Sequence, residues 1–272
     1  MTRLGLGIPS AAVYRGRRAH PVEPLPSEVA GLLARMSPAA PAPRAAEIST
    51  LVSALLAAGL WQKLDAFYML AAHDAQAARL NWIADHYNLT AVNTPAFLAD
   101  RGYAGNGTNS YLDTSFNPAT AAAPHFTQNA ASIGAWSLTN QQGSSALMGG
   151  VSTGGQSYLL PWAGDGNMYV TLNRAGDNAR PSAGHSLGLF SASRLAFGSF
   201  TSHVNGANAV VSPVGAVAPG SGNFYIGARN TQQFTTRRIA FAFMGDGLTD
   251  GEVAGLYAAV RTYLLAVGAV AP

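Results

Sequence analysis

The feature that most constrains this chain is a succession of short apolar runs from Lys63 onward, each bounded by Gly, Asn or Pro. The runs are "LDAFYMLAA", "AFLADR", "SYLDTSF", "ASIGAWSLT", "SSALMGGV", "QSYLLPWA", "NMYVTLN", "HSLGLFSAS", "RLAFGSFTSHV", "ANAVVSP", "NFYIGAR" and "RRIAFAFMG". Many short strands at regular spacing, punctuated by turns, predict a β-sandwich or barrel. Asn205-Gly206 lies between two alternating runs and carries the type I′ hairpin signal. "DAQAARLNWIADHYN" fits a helix or a loop, and an irregular connection ending near Asn88 is the preferred reading.

Helical periodicity occurs on either side of these strands. In "RAAEISTLVSALLAAGLW", Ile48, Leu51, Val52, Leu55 and Leu56 recur at three and four, with Gly59 placed to end the helix. This predicts an amphipathic helix over 45–60. The acidic stretch "GDGLTDGEV" invites a calcium-loop reading, but counting from Asp246 the third position is Leu248 and the twelfth is Tyr257, so the required oxygens are missing. Thr249 and Glu252 instead have capping-box spacing, with Leu248 and Val253 as a hydrophobic staple. Val253, Leu256, Tyr257, Val260, Tyr263 and Leu264 then continue at helical spacing up to Gly268, which predicts a C-terminal helix over 250–267.

The first 44 residues hold seven of the fifteen prolines and the segment "SPAAPAPRAA". They read as an extended arm. The arm carries Arg3, Arg15, Arg17, Arg18, Arg35 and Arg44 against Glu23 and Glu28, so the net charge of +3 is concentrated there. A basic arm suits nucleic acid or an acidic protein surface, yet one arginine cluster without interleaved aromatics makes a poor nucleic-acid footprint, and an assembly anchor is the better reading. Arg3, Arg15, Arg17 and Arg18 are the candidate anchoring residues. Charged residues make up only 11% of the chain, with a single lysine, Lys63, and such a surface suits packing into an assembly. No apolar run approaches the ~20 residues that span a bilayer, and Arg261 interrupts the C-terminal candidate, so membrane insertion is not expected. Pro9 and the neighbouring glycines break any signal-peptide core.

Candidate chemistry is sparse. With no cysteine there is no disulfide, thiolate metal site or cysteine nucleophile. Gly184-His185-Ser186-Leu187-Gly188 matches the serine-hydrolase elbow, but that elbow needs a helix after the serine, where "LGLFSAS" reads as a strand. The only glutamates are Glu23, Glu28, Glu47 and Glu252, none on a predicted sandwich strand, which leaves no carboxylate pair for glycoside hydrolysis. The six histidines are scattered, and no metal or cofactor is expected; His73-Asp74 and Asp85-His86 read as loop hydrogen bonds. Asn88-Leu-Thr and Asn106-Gly-Thr fit the glycosylation pattern, but Gly105-Asn106-Gly107 reads better as turn chemistry. The best binding loop is "PWAGDGNMYV": Trp162 offers a flat face for a sugar, and Asp165 and Asn167 offer partners for hydroxyls. The competing reading, a β-turn over a core tryptophan, is favoured because a sandwich of this size needs buried aromatics.

Residues 50–268 resemble a group of tailed-bacteriophage and prophage virion proteins with a concanavalin-like (laminin-G-like) jelly-roll domain. The segments that carry the resemblance are the Trp61-Leu64-Asp65 entry, "RGYAGNGTNSYLDT", "GLFSASR" and the capped terminal helix. The resemblance implies a mainly β jelly-roll sandwich over 61–272 with a helix before it and one after. It also implies a non-enzymatic virion structural protein, a tail fibre or appendage that adheres to host-surface glycans as a homo-oligomer. Such a protein is assembled in the bacterial cytoplasm and attached to other virion proteins through residues 1–60. A capsid decoration or head-fibre protein anchored by its arm is the alternative, and a glycan hydrolase is a third.

Overall fold

The computed structural model describes residues 25–150, 154–176 and 178–272. Arg3, Arg15, Arg17 and Arg18 therefore lie outside the described residues. Helices α1 (Ser27–Ala34) and α2 (Ala42–Ala57) precede strands β1 (Leu64–Met69), β2 (Thr90–Val92), β3 (Ala96–Leu98), β4 (Gly102–Ala104) and β5 (Tyr111–Asp113). Then come β6 (Ala131–Ser137), β7 (Met148–Gly150), β8 (Gln156–Leu160), β9 (Asn167–Arg174) and β10 (Ala179–Pro181). The chain closes with β11 (Gly188–Ala196), β12 (Ser199–Val204), β13 (Ala207–Ser212), β14 (Tyr225–Ile226), β15 (Arg238–Gly245) and α3 (Asp250–Ala266).

The strands form the expected sandwich of two antiparallel sheets. The first runs β13-β12-β11-β6-β15-β4-β3, with β1 also paired to β15; the second runs β10-β9-β8-β7-β14-β5-β2. The central strands β6 and β15 of the first sheet are covered on both faces, since every residue of β6 and all of β15 but Arg238 are buried, and β1 beside β15 is buried throughout. That is why they read as continuous apolar runs with no polar alternation. One face meets the second sheet. On the other, Phe67, Phe241 and Trp136 face the helices: Phe67 lies 4.7 Å from Phe241 and 5.4 Å from Trp82, Trp82 meets Tyr263 of α3 edge-on at 6.0 Å, and Trp136 stacks on Tyr257 of α3 at 5.3 Å. Gly134 is required here, because a Cβ would drive into the Phe243 ring.

The C-terminal helix starts as its sequence dictates. The Thr249 side chain accepts from Glu252 N, the Glu252 carboxylate accepts from Thr249 N at 2.9 Å, and Lys63 Nζ closes on Glu252 Oε1 at 2.6 Å. Leu248 and Val253 are both buried beside the cap. The hairpin between β12 and β13 also matches, with φ of 52° at Asn205 and 79° at Gly206.

Part of the expected extended arm is folded. Within 25–44, α1 buries Val29 and Leu32, Met36 is buried beyond it, and α2 begins at Ala42. Arg35 donates to the carbonyl of Asn81 at 2.9 Å, and Arg44 pairs with Asp100 at 2.8 Å and Glu47 at 3.1 Å. The apolar residues at helical spacing outweigh the flanking prolines, and Pro26 and Pro41 serve as N-caps, where a missing N–H costs nothing. The prolines thus delimit helices docked on the body.

Candidate functional site

All three helices gather on the first sheet and on one another, and the outer face of the second sheet is covered in part by its own loops: Tyr158 and Thr171 are fully buried there, while Tyr169, Tyr225, Tyr111 and Asp113 are half-buried. Because directly paired residues of antiparallel strands share a face, the register places Asp113, Tyr225, Gly149, Tyr158 and Thr171 in one row across β5, β14, β7, β8 and β9. Tyr169, paired with Leu160, stands on the same face one pleat along. Tyr158, Leu160 and Ala163, with Tyr169 against them, form an apolar cluster separate from the main core.

A cleft of about 330 Å3 opens at this cluster, lined by Ser144, Tyr158, Leu160, Ala163, Asp165, Tyr169, Arg229 and Gln233. The volume lies in the lower range of small-ligand sites. The Arg229 guanidinium sits 3.8 Å above the centre of the Tyr158 ring and donates to Gln156 Oε1 and, at 3.4 Å, to Gln233 Oε1. Across the cleft, Asp165 accepts from the Asn167 side chain and the Asn167 N–H, both at 3.0 Å, and from the Tyr169 hydroxyl at 2.8 Å. These bonds, the Asn167 side chain first, hold the Asp165 carboxyl below the usual carboxylate range. It stays an ionised acceptor fixed in place.

A second aromatic group lies further along the same face. Tyr111 meets Tyr225 edge-on at 4.6 Å and Phe234 at 6.0 Å. Beside them Asp113 accepts from Ser115 N at 2.8 Å and from Asn223 Nδ2 at 3.1 Å. Burial first, and then the Asp113 carboxylate, raises the Tyr111 and Tyr225 hydroxyl pKa values, so both remain neutral donors.

Of the sequence-predicted residues, Asp165 lines the cleft and Asn167 holds it, while Trp162 is half-buried in the same turn and is not among the lining residues. The Trp162 carbonyl accepts from Gly143 N at 2.9 Å and from Arg237 at 3.4 Å. Arg237 is fully buried, and among the described residues no carboxylate pairs with it. Its donors reach Gln141 O at 2.6 Å, Gly143 O at 3.0 Å and Ser145 O at 2.9 Å, and burial pushes its pKa down to about 10. Arg194 is buried likewise, bonded to the carbonyls of Leu172, Phe197 and Val214.

Ser186 of the elbow-like motif is buried, shares its hydroxyl between Thr139 O at 2.9 Å and Gln141 O at 3.0 Å, and is followed by strand β11. It is a loop clamp. Asn106 Oδ1 accepts from Thr108 N and Asn109 N, both at 2.9 Å, which makes it the turn residue expected. His73 Nε2 lies 3.2 Å from Pro38 O, and Asp85 accepts from Asn88. Among the described residues no three His, Cys, Asp or Glu side chains gather around a common point, and no helix is long and apolar enough to cross a membrane. A larger cleft of about 570 Å3 lies over Trp136 and Tyr257, but these rings stack within 5° of parallel and spend their faces on each other.

No family model and no curated protein matches the chain. Solved structures do share the fold. Domain 4 of AbnA, an extracellular GH43 arabinanase of Geobacillus stearothermophilus in complex with arabinotriose, is similar at a TM-score of 0.52 and 14% identity, over 72% of this chain and 98% of that one. Trypanosoma rangeli sialidase matches at 0.53 and 14%, over 74% of this chain and 33% of the sialidase. The binding domain of botulinum neurotoxin serotype D matches at 0.50 and 11%, over 73% and 52%. At these identities the likeness shows a β-sandwich shared with domains of glycan-processing and binding proteins, and it assigns no residue a role.

Proposed function

We propose that this chain is a non-enzymatic glycan-binding protein of a bacteriophage particle, an oligomeric tail-fibre or appendage component attached to other virion proteins through residues 1–60. The observation that carries the glycan reading is the cleft on the outer face of the second sheet, where the half-buried Tyr169 ring and the Arg229 guanidinium, which lies over the buried Tyr158 ring, stand beside Asp165 and Gln233. Sugar rings have apolar C–H faces and hydroxyl rims, and this is the surface chemistry that complements them. The similarity to an arabinanase domain solved with arabinotriose supports the same reading, and the resemblance to virion proteins supports the particle.

The non-enzymatic part rests on how the carboxylates of this face are employed. Asp165 is held ionised by three hydrogen bonds, which unsuits it as a general acid, and Asp113 spends its carboxylate on Ser115 N and Asn223 Nδ2. Screening the purified chain against an array of bacterial surface polysaccharides tests the proposal. Binding should appear without release of reducing ends, and Tyr169→Ala should weaken it about tenfold, or ~1.4 kcal/mol. Binding unaffected by Tyr169→Ala sinks the cleft assignment, and release of sugar products sinks the non-enzymatic one.

A further inference from the structure

A cavity of about 230 Å3 opens where the start of β1 meets the loops 83–87 and 116–125, and it shares no lining residue with the cleft at Tyr169. Asp65 lines it and is only 9% exposed. Its two carboxylate oxygens each accept one backbone N–H, from His125 and from Phe126, both at 2.8 Å. An ionised carboxylate has about four acceptor positions, so half of its capacity is left. Among the described residues no basic side chain pairs with it. Burial, the largest influence, raises the Asp65 pKa against the pull of the two N–H groups, as befits a carboxylate without a counter-ion.

The walls of this cavity are strained. Tyr87 and Ala123 line it with φ of 59° and 47°, and every other described non-glycine residue with positive φ is Asn, Asp, Ser, Thr or Gln. Neither Tyr nor Ala has a short polar side chain to bond the local backbone and offset that strain, which persists only where the surroundings impose it and which gathers at ligand sites. The Tyr87 carbonyl is held by the Tyr68 hydroxyl at 2.7 Å, and its half-buried ring meets Phe116 edge-on at 5.1 Å. His86 and His125, both exposed, complete the polar lining. No three His, Cys, Asp or Glu side chains among the described residues are placed to hold a metal ion. One unpaired carboxylate beside an aromatic wall is instead the chemistry that holds an organic ammonium. The volume falls below the ~300 Å3 at which pockets for larger ligands begin, so the ligand is small.

We propose that this cavity binds a small organic cation through a protonated primary amine, which pairs with the Asp65 carboxylate beside the Tyr87 ring. The proposal stands apart from the glycan reading of the cleft, since the two sites share no residue. An aliphatic amine and an amino sugar carry the same ammonium. Calorimetry and 1H–15N NMR of the full chain with butylamine and with glucosamine, each beside its neutral counterpart butanol or glucose, test it. At least one amine should shift the His125 and Phe126 amide resonances saturably and bind about tenfold or more tighter than its counterpart. The tighter of the two amines identifies the source. Asp65→Asn removes the charge and keeps an acceptor, and should weaken the amine by about tenfold or more. Should that variant fold poorly, Ala122→Trp, a bulky ring at an exposed lining position, should block the cavity and give the same loss. Neutral counterparts that bind as tightly as the amines, amine binding retained in Ala122→Trp, or no saturable binding of either amine overturns the proposal and leaves the cleft reading untouched.

Discussion

Arg237 shows how little of a residue's task is written at its own position. In "RRIAFAFMG" it opens an apolar strand run with nothing to mark it as internal, yet it is fully buried and ties Gln141, Gly143, Ser145 and the Trp162 turn together through backbone carbonyls. Only a guanidinium has enough donors in fixed directions for this, and a lysine ammonium has three on a flexible stem. Arg237→Lys should therefore lower stability by about 1–3 kcal/mol for each carbonyl left unpaired, read as a drop in the urea midpoint. A variant as stable as wild type would mean that the loop carbonyls find water instead. The fifteen arginines against one lysine, taken from the sequence as a property of the surface, include two that serve this internal purpose. Asp165 and Asn167, by contrast, sit on the turn that the sequence indicated, because the turn is local: an Asp two residues before an Asn between glycines closes it by bonding to the Asn.

Elements were legible where their signal was local and long. The apolar runs of β1, β6 and β15 and the capping box of α3 are of that kind. Strands β2 and β10 were missed because each has three residues and includes Thr or Pro, so tertiary pairing outweighs propensity. Helix α1 was missed because its prolines were read as breakers, although Val29, Leu32 and Met36 at helical spacing were there to see. The α3 cap yields a prediction at this scale. Thr249→Ala removes the acceptor for Glu252 N and should cost about 1 kcal/mol in denaturant unfolding. The cap is also acid-sensitive. The hydrogen bond from His203, above all, lowers the Asp250 pKa; for Glu252, burial raises the pKa, but Lys63 and Thr249 outweigh it and the net shift is downward. The unfolded chain then takes up these protons at higher pH than the folded one does. The contribution is complete above the ordinary value of 4.5 and is lost as pH falls through the lowered folded values. Glu252→Gln should flatten the stability profile between about pH 3 and 5, and an unchanged slope there would remove the cap from the account of acid unfolding.

The exposed site belongs to the whole molecule. Ser144, Tyr169 and Arg229 come from separate stretches of the sequence and line one cleft only through the strand order β9-β8-β7-β14, which no local pattern announces. A sandwich with helices on one sheet and the cleft at Tyr169 and Asp165 on the other has two unlike sides, and the N-terminal helices are docked on the side away from the cleft. Attachment through the N-terminal segment, as proposed, would leave the cleft facing outward. For an appendage that adheres to a cell surface, the protein must also stand where the particle meets its host. Antibody raised against residues 60–268 should label purified virions at the tail end, and soluble oligosaccharide from the polysaccharide that binds should reduce adsorption of the particles to cells. Label spread over the head would replace the appendage reading with capsid decoration by a chain anchored through its N-terminal segment. Label at the tail with adsorption indifferent to the oligosaccharide would keep the location and remove the glycan from host attachment.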